Sequence, residues 1–434
     1  MILRTEPLGS SLNGELQTPG DKSISHRALI LASLAAGQSR IEGLLESADV
    51  MATAEACRQL GMTSENKGDA LLVTGVGASG LKAPAAALDM GNSGTAMRLL
   101  AGVLAAQPFR STLVGDHSLS GRPMRRIVQP LSQMGALIAT TETGTPPLII
   151  DGNPGLRGIH YSSPVASAQV KSCLLLAGLY AQGRTSVSEP RTSRDHTEKM
   201  LPSFGVPVGD DCSVNGGSKL VSADVQVPGD ISSATFFLVA AAMIPSSSLG
   251  LLAVGLNETR VGILKVLQAM GADLVIDNNR FFGQEPVGDI RVRFNGKLKA
   301  IDLPEAWVPS LIDELPAIMA LAAVSDGITR IRGAEELRVK ESDRIAVMAR
   351  GLEKLGVTLK EYPDGIDIEG GGVRGGSVDG AGDHRCAMSF CILGQLANAP
   401  VIVSGCENIV TSYPAFVQDL RSMGGNVSQE RPDA

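Results

Sequence analysis

"GDKSISHRALILASLAAG", residues 20–37, opens on a glycine turn with polar and basic side chains and then runs uniformly apolar. Such a stretch reads as a helix with no polar face, which only a protein core can surround. Five further stretches share the pattern: "GNSGTAMRLLAGVLAAQ" (91–107), "ASAQVKSCLLLAGLYAQG" (166–183), "GDISSATFFLVAAAMI" (229–244), "IDELPAIMALAAVSDG" (312–327) and "GDHRCAMSFCILGQLANA" (382–399). A second, amphipathic kind of segment alternates with the first and closes on Gly61, Gly135, Gly205, Gly271, Gly356 or Gly424, 66 to 85 residues apart. Each copy reads as a half-exposed helix stopped by a glycine just past its end, followed by a short strand. The copy "HTEKMLPSFGV" (196–206) is the weakest helix, because Pro202 interrupts it. Strand-like pieces such as "SRIEGLL" (39–45), "RTSVSEP" (184–190), "ITRIRGA" (328–334) and "PVIVSGC" (400–406) follow the apolar helices. The repeating unit is therefore one buried helix, one outer helix and several strands, and six copies of roughly 70 residues fill the chain.

"PGDKS" (19–23) and "PGDIS" (228–232) look like sister entrances to two groups of three units. The expected division is one domain over 19–227 and a second built from 1–18 plus 228–434. A length of 434 residues suits more than one core. The composition, 44% hydrophobic and 19% charged, is that of a globular chain. Aromatic residues are only 3% while glycines number 50, so the cores must be built from Ala, Leu, Val, Ile and Met packed closely.

The net charge of −7 and the absence of Lys/Arg blocks argue against general nucleic-acid binding. The longest apolar run, "FFLVAAAMI" (236–244), is too short to cross a bilayer, and "MILRTEPLGSSLNGEL" carries no signal-peptide pattern. Six cysteines without a CxxC pair predict reduced thiols in a cytoplasmic protein. The five histidines lack metal-ligand spacing, so no metal site is expected.

The starts of the apolar helices carry more than capping requires. Lys22, Ser23 and Arg27 open the first, where free N–H groups and the helix dipole favour an anion. A nucleotide-binding P-loop is excluded: five residues rather than four separate Gly14 from Gly20, and Asp21 intervenes before Lys22. "GNSGT" (91–95) lets a ligand approach the backbone at Gly91 and Gly94. "ASAQVK" gathers Ser167, Gln169 and Lys171, "IDELP" brings Asp313 and Glu314, and "GDHR" brings His384 and Arg385. The fourth start, "GDISSATFF", has no basic side chain and reads as purely structural. "LRVKESDR" (337–344), "SLSGRPMRR" (118–126) and "SRDHTEKM" (193–200) lie between strands and outer helices; each alone would pass for a solvated charged turn.

Taken together, "PGDKSISHR", "GNSGTAMR", "RPM", "SAQVK", "RDHTE", "NETR" (257–260), "LRVKESDR" and "GDHR" resemble the 5-enolpyruvylshikimate-3-phosphate synthases of bacteria over nearly the whole chain. "GDKS", "SAQVK", "RDHTE" and "NETR" resemble the second class of these enzymes, often described as glyphosate-tolerant. The resemblance implies an α/β fold of two similar globular domains, each of three βαβαββ-type units with buried helices, and an active site in the interdomain cleft. It implies transfer of the enolpyruvyl group of phosphoenolpyruvate to the 5-hydroxyl of 3-phosphoshikimate, with release of phosphate, by addition and then elimination. No cofactor or metal is implied; the expected partners are the two small substrates, with no nucleic acid or membrane, and the enzyme is expected to be a monomer.

Both substrates carry a carboxylate and a phosphate, for which guanidinium forks and lysine ammonium groups are suited. By resemblance, Lys22, Arg122, Arg344 and Arg385 surround phosphoenolpyruvate, with Gly94 and Gln169 near it. Lys22, Ser23, Arg27, Ser167, Gln169, Arg194, Asp313 and Lys340 hold 3-phosphoshikimate. The hydroxyl must lose a proton as it attacks, and a methylene carbon must gain one and later lose it. Asp313, Glu341 and Lys22 are the catalytic candidates for these transfers. Leu99 follows Arg98 where first-class enzymes carry proline, and Thr411 stands where they carry a lysine, so no cationic role falls to position 411. Two rivals are the sister transferase acting on UDP-N-acetylglucosamine, whose reactive loop cysteine is missing from "VGDHSLSGRPM" (114–124), and a non-catalytic sensor, which would need the cations but not the carboxylates.

Overall fold

In the computed structural model, which describes residues 1–430, the apolar stretches form six inner helices: Lys22–Leu34, Gly94–Ala105, Ala168–Gly178, Ile231–Met243, Leu315–Ala322 and His384–Gly394. Their burial follows from composition. In Ile231–Met243 every residue is buried, because no side chain offers a face to water. Each Leu, Ile, Val, Phe or Met withdrawn in this way contributes about 1.5–3 kcal/mol.

Two compact units result. One comprises Met1–Pro19, Pro228–Arg280 and the chain from Pro286 on; the other comprises Gly20–Val227 with Phe281–Glu285. Residues 281–285 group with the first three repeats and Pro19 with the second three, the two departures from the division expected from the sequence. Each unit has its own hydrophobic core.

The described strands form six sheets, one for each inner helix, and the sheets share one order. In the first repeat, Asp224–Gln226 runs parallel to Ala36–Glu42, which pairs antiparallel with Ala70–Val76, which pairs antiparallel with Thr63–Lys67. Leu88–Asp89, Arg110–Val114, Leu148–Asp151 and Leu137–Ala139 repeat the order in the second. The third keeps three strands, His160–Ser162, Arg184–Ser188 and Ser213–Asn215.

In the other unit the chain start completes the pattern. Asn13–Gln17 is the parallel edge beside Ser248–Gly255, and Ile2–Thr5 lies between Val401–Ser404 and Val427–Glu430 in the last sheet. The first residues thus belong with the C-terminal repeats by strand pairing. The fifth sheet has three strands, its parallel edge reduced to bridges at Lys299–Asp326 and Asp302–Arg330.

All six closing glycines adopt the left-handed conformation, with φ from +81° at Gly205 to +113° at Gly61. Five outer helices end there as expected: Ala48–Gln59, Arg125–Gln133, Gly262–Ala269, Arg344–Lys354 and Phe416–Ser422. The Pro202 copy shrinks to the helix His196–Met200 and a 3-10 turn, Leu201–Phe204. Proline has no N–H to bond the preceding turn, which explains the break.

Scarce aromatics are offset by close helix contact. A Cβ on Gly102 would lie 2.2 Å from the Cys173 carbonyl oxygen, so glycine lets two inner helices of one unit touch backbone to backbone. Most of the aromatic packing is one cluster of Phe236, Phe237, Tyr413 and Phe416 in the other unit.

Candidate active site

The unit holding residues 20–227 supplies the first set of candidates, most of them at or near inner-helix starts, with Arg122 and Arg194 in the segments that precede outer helices. Asp21 caps the first helix, accepting from the Ile24 N–H at 2.9 Å. That cap fixes Lys22, whose Nζ lies 2.5 Å from Asp49 Oδ2. Arg27, one turn further, donates Nε to Thr197 Oγ1 (2.7 Å), one terminal nitrogen to the Ser23 carbonyl (2.8 Å) and the other to Ser172 Oγ (2.7 Å). Burial lowers the Arg27 pKa to about 10. His26 is buried between Thr53 and Ser93, and burial beside Lys22 and Arg27 holds it neutral, well below the usual histidine range.

Ser93 and Ser167 cap the second and third inner helices. Behind Gly94, Arg98 donates to Gln169 Oε1 at 2.6 Å, and Gln169 Nε2 donates to Thr95 Oγ1 at 2.9 Å. A Cβ on Gly94 would lie 2.8 Å from an Arg98 guanidinium nitrogen and 3.5 Å from one of Arg122, so the glycine keeps that approach open. Arg122 donates to the Asn92 carbonyl (3.2 Å), Asn92 Oδ1 (2.6 Å) and Ser118 Oγ (3.1 Å). Gly94, Arg122 and Gln169 are thereby brought together.

Arg194 is half-buried in the segment just before the short helix His196–Met200. Glu189 anchors that segment, accepting from the Ser167 N–H at 2.7 Å and from Ser193 Oγ, with Lys171 Nζ 3.1 Å away. Lys171 also meets Glu198 at 2.7 Å; burial opposes its charge, but the two glutamates outweigh that and raise its pKa. Lys171, buried and paired, is thus a brace.

The other unit supplies the second set, centred on Arg344. Its side chain is only 1% exposed, so "LRVKESDR" is no solvated turn. Nε donates to Asp383 Oδ2 (2.8 Å), and the terminal nitrogens to Asp313 Oδ1 (3.1 Å) and Glu341 Oε2 (2.5 Å). Burial opposes the charge, yet Asp383, Glu341 and Asp313 together hold the guanidinium well above its ordinary pKa. Lys340 Nζ stands 3.7 Å from Asp313 Oδ1. Arg385 donates to the Asp313 carbonyl at 3.1 Å. Asp313, Lys340, Glu341, Arg344 and Arg385 form one connected group.

The partners Arg98, Asp49, Glu189, Glu198 and Asp383 were not among the sequence candidates. Arg98, Glu189, Glu198 and Asp383 stand inside quoted stretches, and Asp383 carries a cap signal, but their partners across elements are revealed by tertiary pairing alone. No group of three or more His, Cys, Asp and Glu among the described residues could hold a metal ion, and no described helix is long and apolar enough to cross a membrane.

The fold and these two sets define an α/β protein of two three-repeat units, with cations at or near helix starts and acids paired to them in both units. The profile of the EPSP synthase (3-phosphoshikimate 1-carboxyvinyltransferase) family matches residues 8–420, and the chain belongs to that family. It is 52% identical to the 3-phosphoshikimate 1-carboxyvinyltransferase of Methylococcus capsulatus, over 98% of each chain. It is 53% identical to that of Xanthomonas campestris pv. campestris, over 97% of each. The solved EPSP synthase of Acinetobacter baumannii superposes with a TM-score of 0.88 at 48% identity, covering 99% of this chain and 100% of that one.

Proposed function

We propose that the two residue sets divide the work of one enolpyruvyl transfer. The chain is a 3-phosphoshikimate 1-carboxyvinyltransferase: it moves the enolpyruvyl group of phosphoenolpyruvate to the 5-hydroxyl of 3-phosphoshikimate and releases phosphate. In our reading Arg122, Arg344, Arg385 and Lys22 receive phosphoenolpyruvate, with Gly94 and Gln169 beside it. Lys22, Ser23, Arg27, Ser167, Gln169, Arg194, Asp313 and Lys340 hold 3-phosphoshikimate.

The observation that carries this reading is the convergence of Asp313 and Glu341 on the single buried guanidinium of Arg344. A binder of anions gains nothing from carboxylates there, whereas the reaction needs groups that move protons. Asp313 takes the hydroxyl proton as the oxygen attacks the central carbon of the enolpyruvyl group, while the methylene carbon gains a proton. In the second half the resulting methyl group loses a proton and the carbon–oxygen bond to phosphate breaks. Glu341 exchanges the proton at that carbon, and Lys22 assists as a proton carrier. Arg344 sits between both acids and the incoming anion, so binding and proton transfer share one group. General acid–base help of this kind contributes about 10²–10⁴-fold.

The test is phosphate release from phosphoenolpyruvate with and without 3-phosphoshikimate, in the parent enzyme and in Glu341→Gln. Release that needs both substrates and falls at least a hundredfold in the variant supports the reading. Release without 3-phosphoshikimate, or an unimpaired variant, refutes it.

We also assign the chain to the second class, on the strength of "GDKS", "SAQVK", "RDHTE" and "NETR" and of Thr411 in place of a lysine. Glyphosate, which occupies the phosphoenolpyruvate site in this family, is then expected to inhibit less than it does first-class enzymes; first-class potency would remove the assignment. The enzyme is taken to be cytoplasmic and to act as a monomer; sedimentation at the mass of one chain checks the second of these.

A further inference from the structure

The fourth inner helix, whose start lacks any basic residue, has a buried polar group behind it. Asp230 caps that helix, accepting from the Ser232 N–H at 2.8 Å. Arg260, the last residue of "NETR", donates to Asp230 Oδ1 (3.2 Å) and to Ser232 Oγ (2.7 Å). Ser232 Oγ in turn donates to Glu314 Oε1, which lies 3.8 Å from an Arg385 guanidinium nitrogen. Asp230, Ser232, Arg260 and Glu314 are all at least 95% buried. The second Glu314 oxygen, Oε2, is buried without a hydrogen-bond partner. A buried carboxylate so sparsely bonded depends on nearby positive charge. Arg260 reaches Glu314 only through Ser232, whereas the guanidinium of Arg385 stands directly beside the Glu314 carboxylate.

We infer that Glu314, supported by Ser232 and Arg260, is a positioning residue that holds Arg385 in place for phosphoenolpyruvate. Arg385 has two anchors on adjacent residues: the Asp313 carbonyl and the Glu314 carboxylate. The first fixes one nitrogen near the acid assigned to the hydroxyl proton. The second supplies charge at the same nitrogen and leaves the rest of the guanidinium for the substrate. The fourth repeat, with no substrate cation of its own, thus serves the sixth through the fifth.

The inference rests on the assignment of Arg385 to phosphoenolpyruvate, and the experiment separates the two. Glu314→Gln keeps the volume and the Ser232 contact but removes the charge. It is expected to raise KM for phosphoenolpyruvate about tenfold, within the range of couplings inside one network. KM for 3-phosphoshikimate should stay within about twofold, and kcat within about threefold. Because Glu314 acts through Arg385, adding it to Arg385→Ala should raise KM no further than Arg385→Ala does alone. Arg260→Met should raise the same KM, and Arg260→Lys should restore part of it; if Arg260→Met does not fold, Glu314→Gln carries the test. An equal rise in both KM values, or additive effects in the double variant, overturns the positioning role while leaving Arg385 assigned. An unchanged KM for phosphoenolpyruvate in Arg385→Ala overturns both.

Discussion

At the scale of single residues, the acids around Arg344 and the buried thiols give the sharpest expectations. Asp313→Asn removes an acceptor but keeps its shape. Turnover should fall about a hundredfold or more while 3-phosphoshikimate still binds, as a comparison of kcat with calorimetric affinity will show. Near-normal turnover would take Asp313 out of the mechanism. Gly94→Ala would bring a methyl group to 2.8 Å from Arg98, whose bond to Gln169 must then shift. The expected result is a higher KM for phosphoenolpyruvate, with a smaller rise for 3-phosphoshikimate because Gln169 is assigned to both, measured in the same assay. Burial pushes the Cys57 thiol up to about 11 and that of Cys173 to about 12, from an ordinary 9.0. A raised thiol pKa contributes stability below pH 9, where both states are protonated. That contribution is lost as pH climbs from 9 towards the folded value, because the unfolded thiol ionises first. Urea unfolding should therefore show a loss of roughly 2–4 kcal/mol between pH 8.5 and 10.5 from these two groups, at about 1.4 kcal/mol per pH unit per thiol. Cys57→Ala should flatten that slope; an unaltered slope would mean other groups carry it.

At the scale of elements, two glycines separate backbone strain from crowding. Gly271 closes an outer helix at φ +92° with nothing within 4 Å of a would-be Cβ. Gly271→Ala therefore adds only conformational strain, about 1 kcal/mol. Gly102 lies inside an inner helix, and a Cβ there meets the Cys173 carbonyl oxygen at 2.2 Å. Gly102→Ala must push two buried helices apart, and a loss above about 3 kcal/mol is expected by urea unfolding. Similar losses for the two variants would contradict the close helix contact. The same elements explain how the helix starts came to be legible. A cap such as Asp21, Ser93, Ser167 or Asp383 leaves a recognisable letter, and its geometry follows from local hydrogen bonding.

At the scale of the whole molecule, residues assigned to 3-phosphoshikimate come from both compact units: Ser23, Arg27, Ser167, Gln169 and Arg194 from one, Asp313 and Lys340 from the other. Ligand binding should then slow hydrogen exchange in segments of both units, around 23–27, 166–171 and 192–196 and also around 311–314 and 338–341. Protection confined to one unit would show that the other set does not touch this substrate. Inorganic phosphate alone, lacking the ring, should not reproduce the pattern.

The sequence by itself determined the repeat. Uniformly apolar runs and closing glycines are local signals, since a helix without a polar face must be buried and a left-handed helix end favours glycine. It also made the helix starts the expected anion sites, through the cations and hydroxyls crowded there. Tertiary structure decided what each charge does. Lys22 with Asp49, Arg98 with Gln169, and Arg260 with Ser232 are pairs drawn from different elements, 27, 71 and 28 positions apart in the chain. No local pattern reports such pairs, because an arginine reads the same whether it meets water, a carboxylate or a substrate. Arg344 is the clearest case: in sequence it sits in a charged turn, and only folding buries it among three acids. Desolvation then makes each contact matter, which is why the helix starts could be read from the sequence but the pairs around them could not.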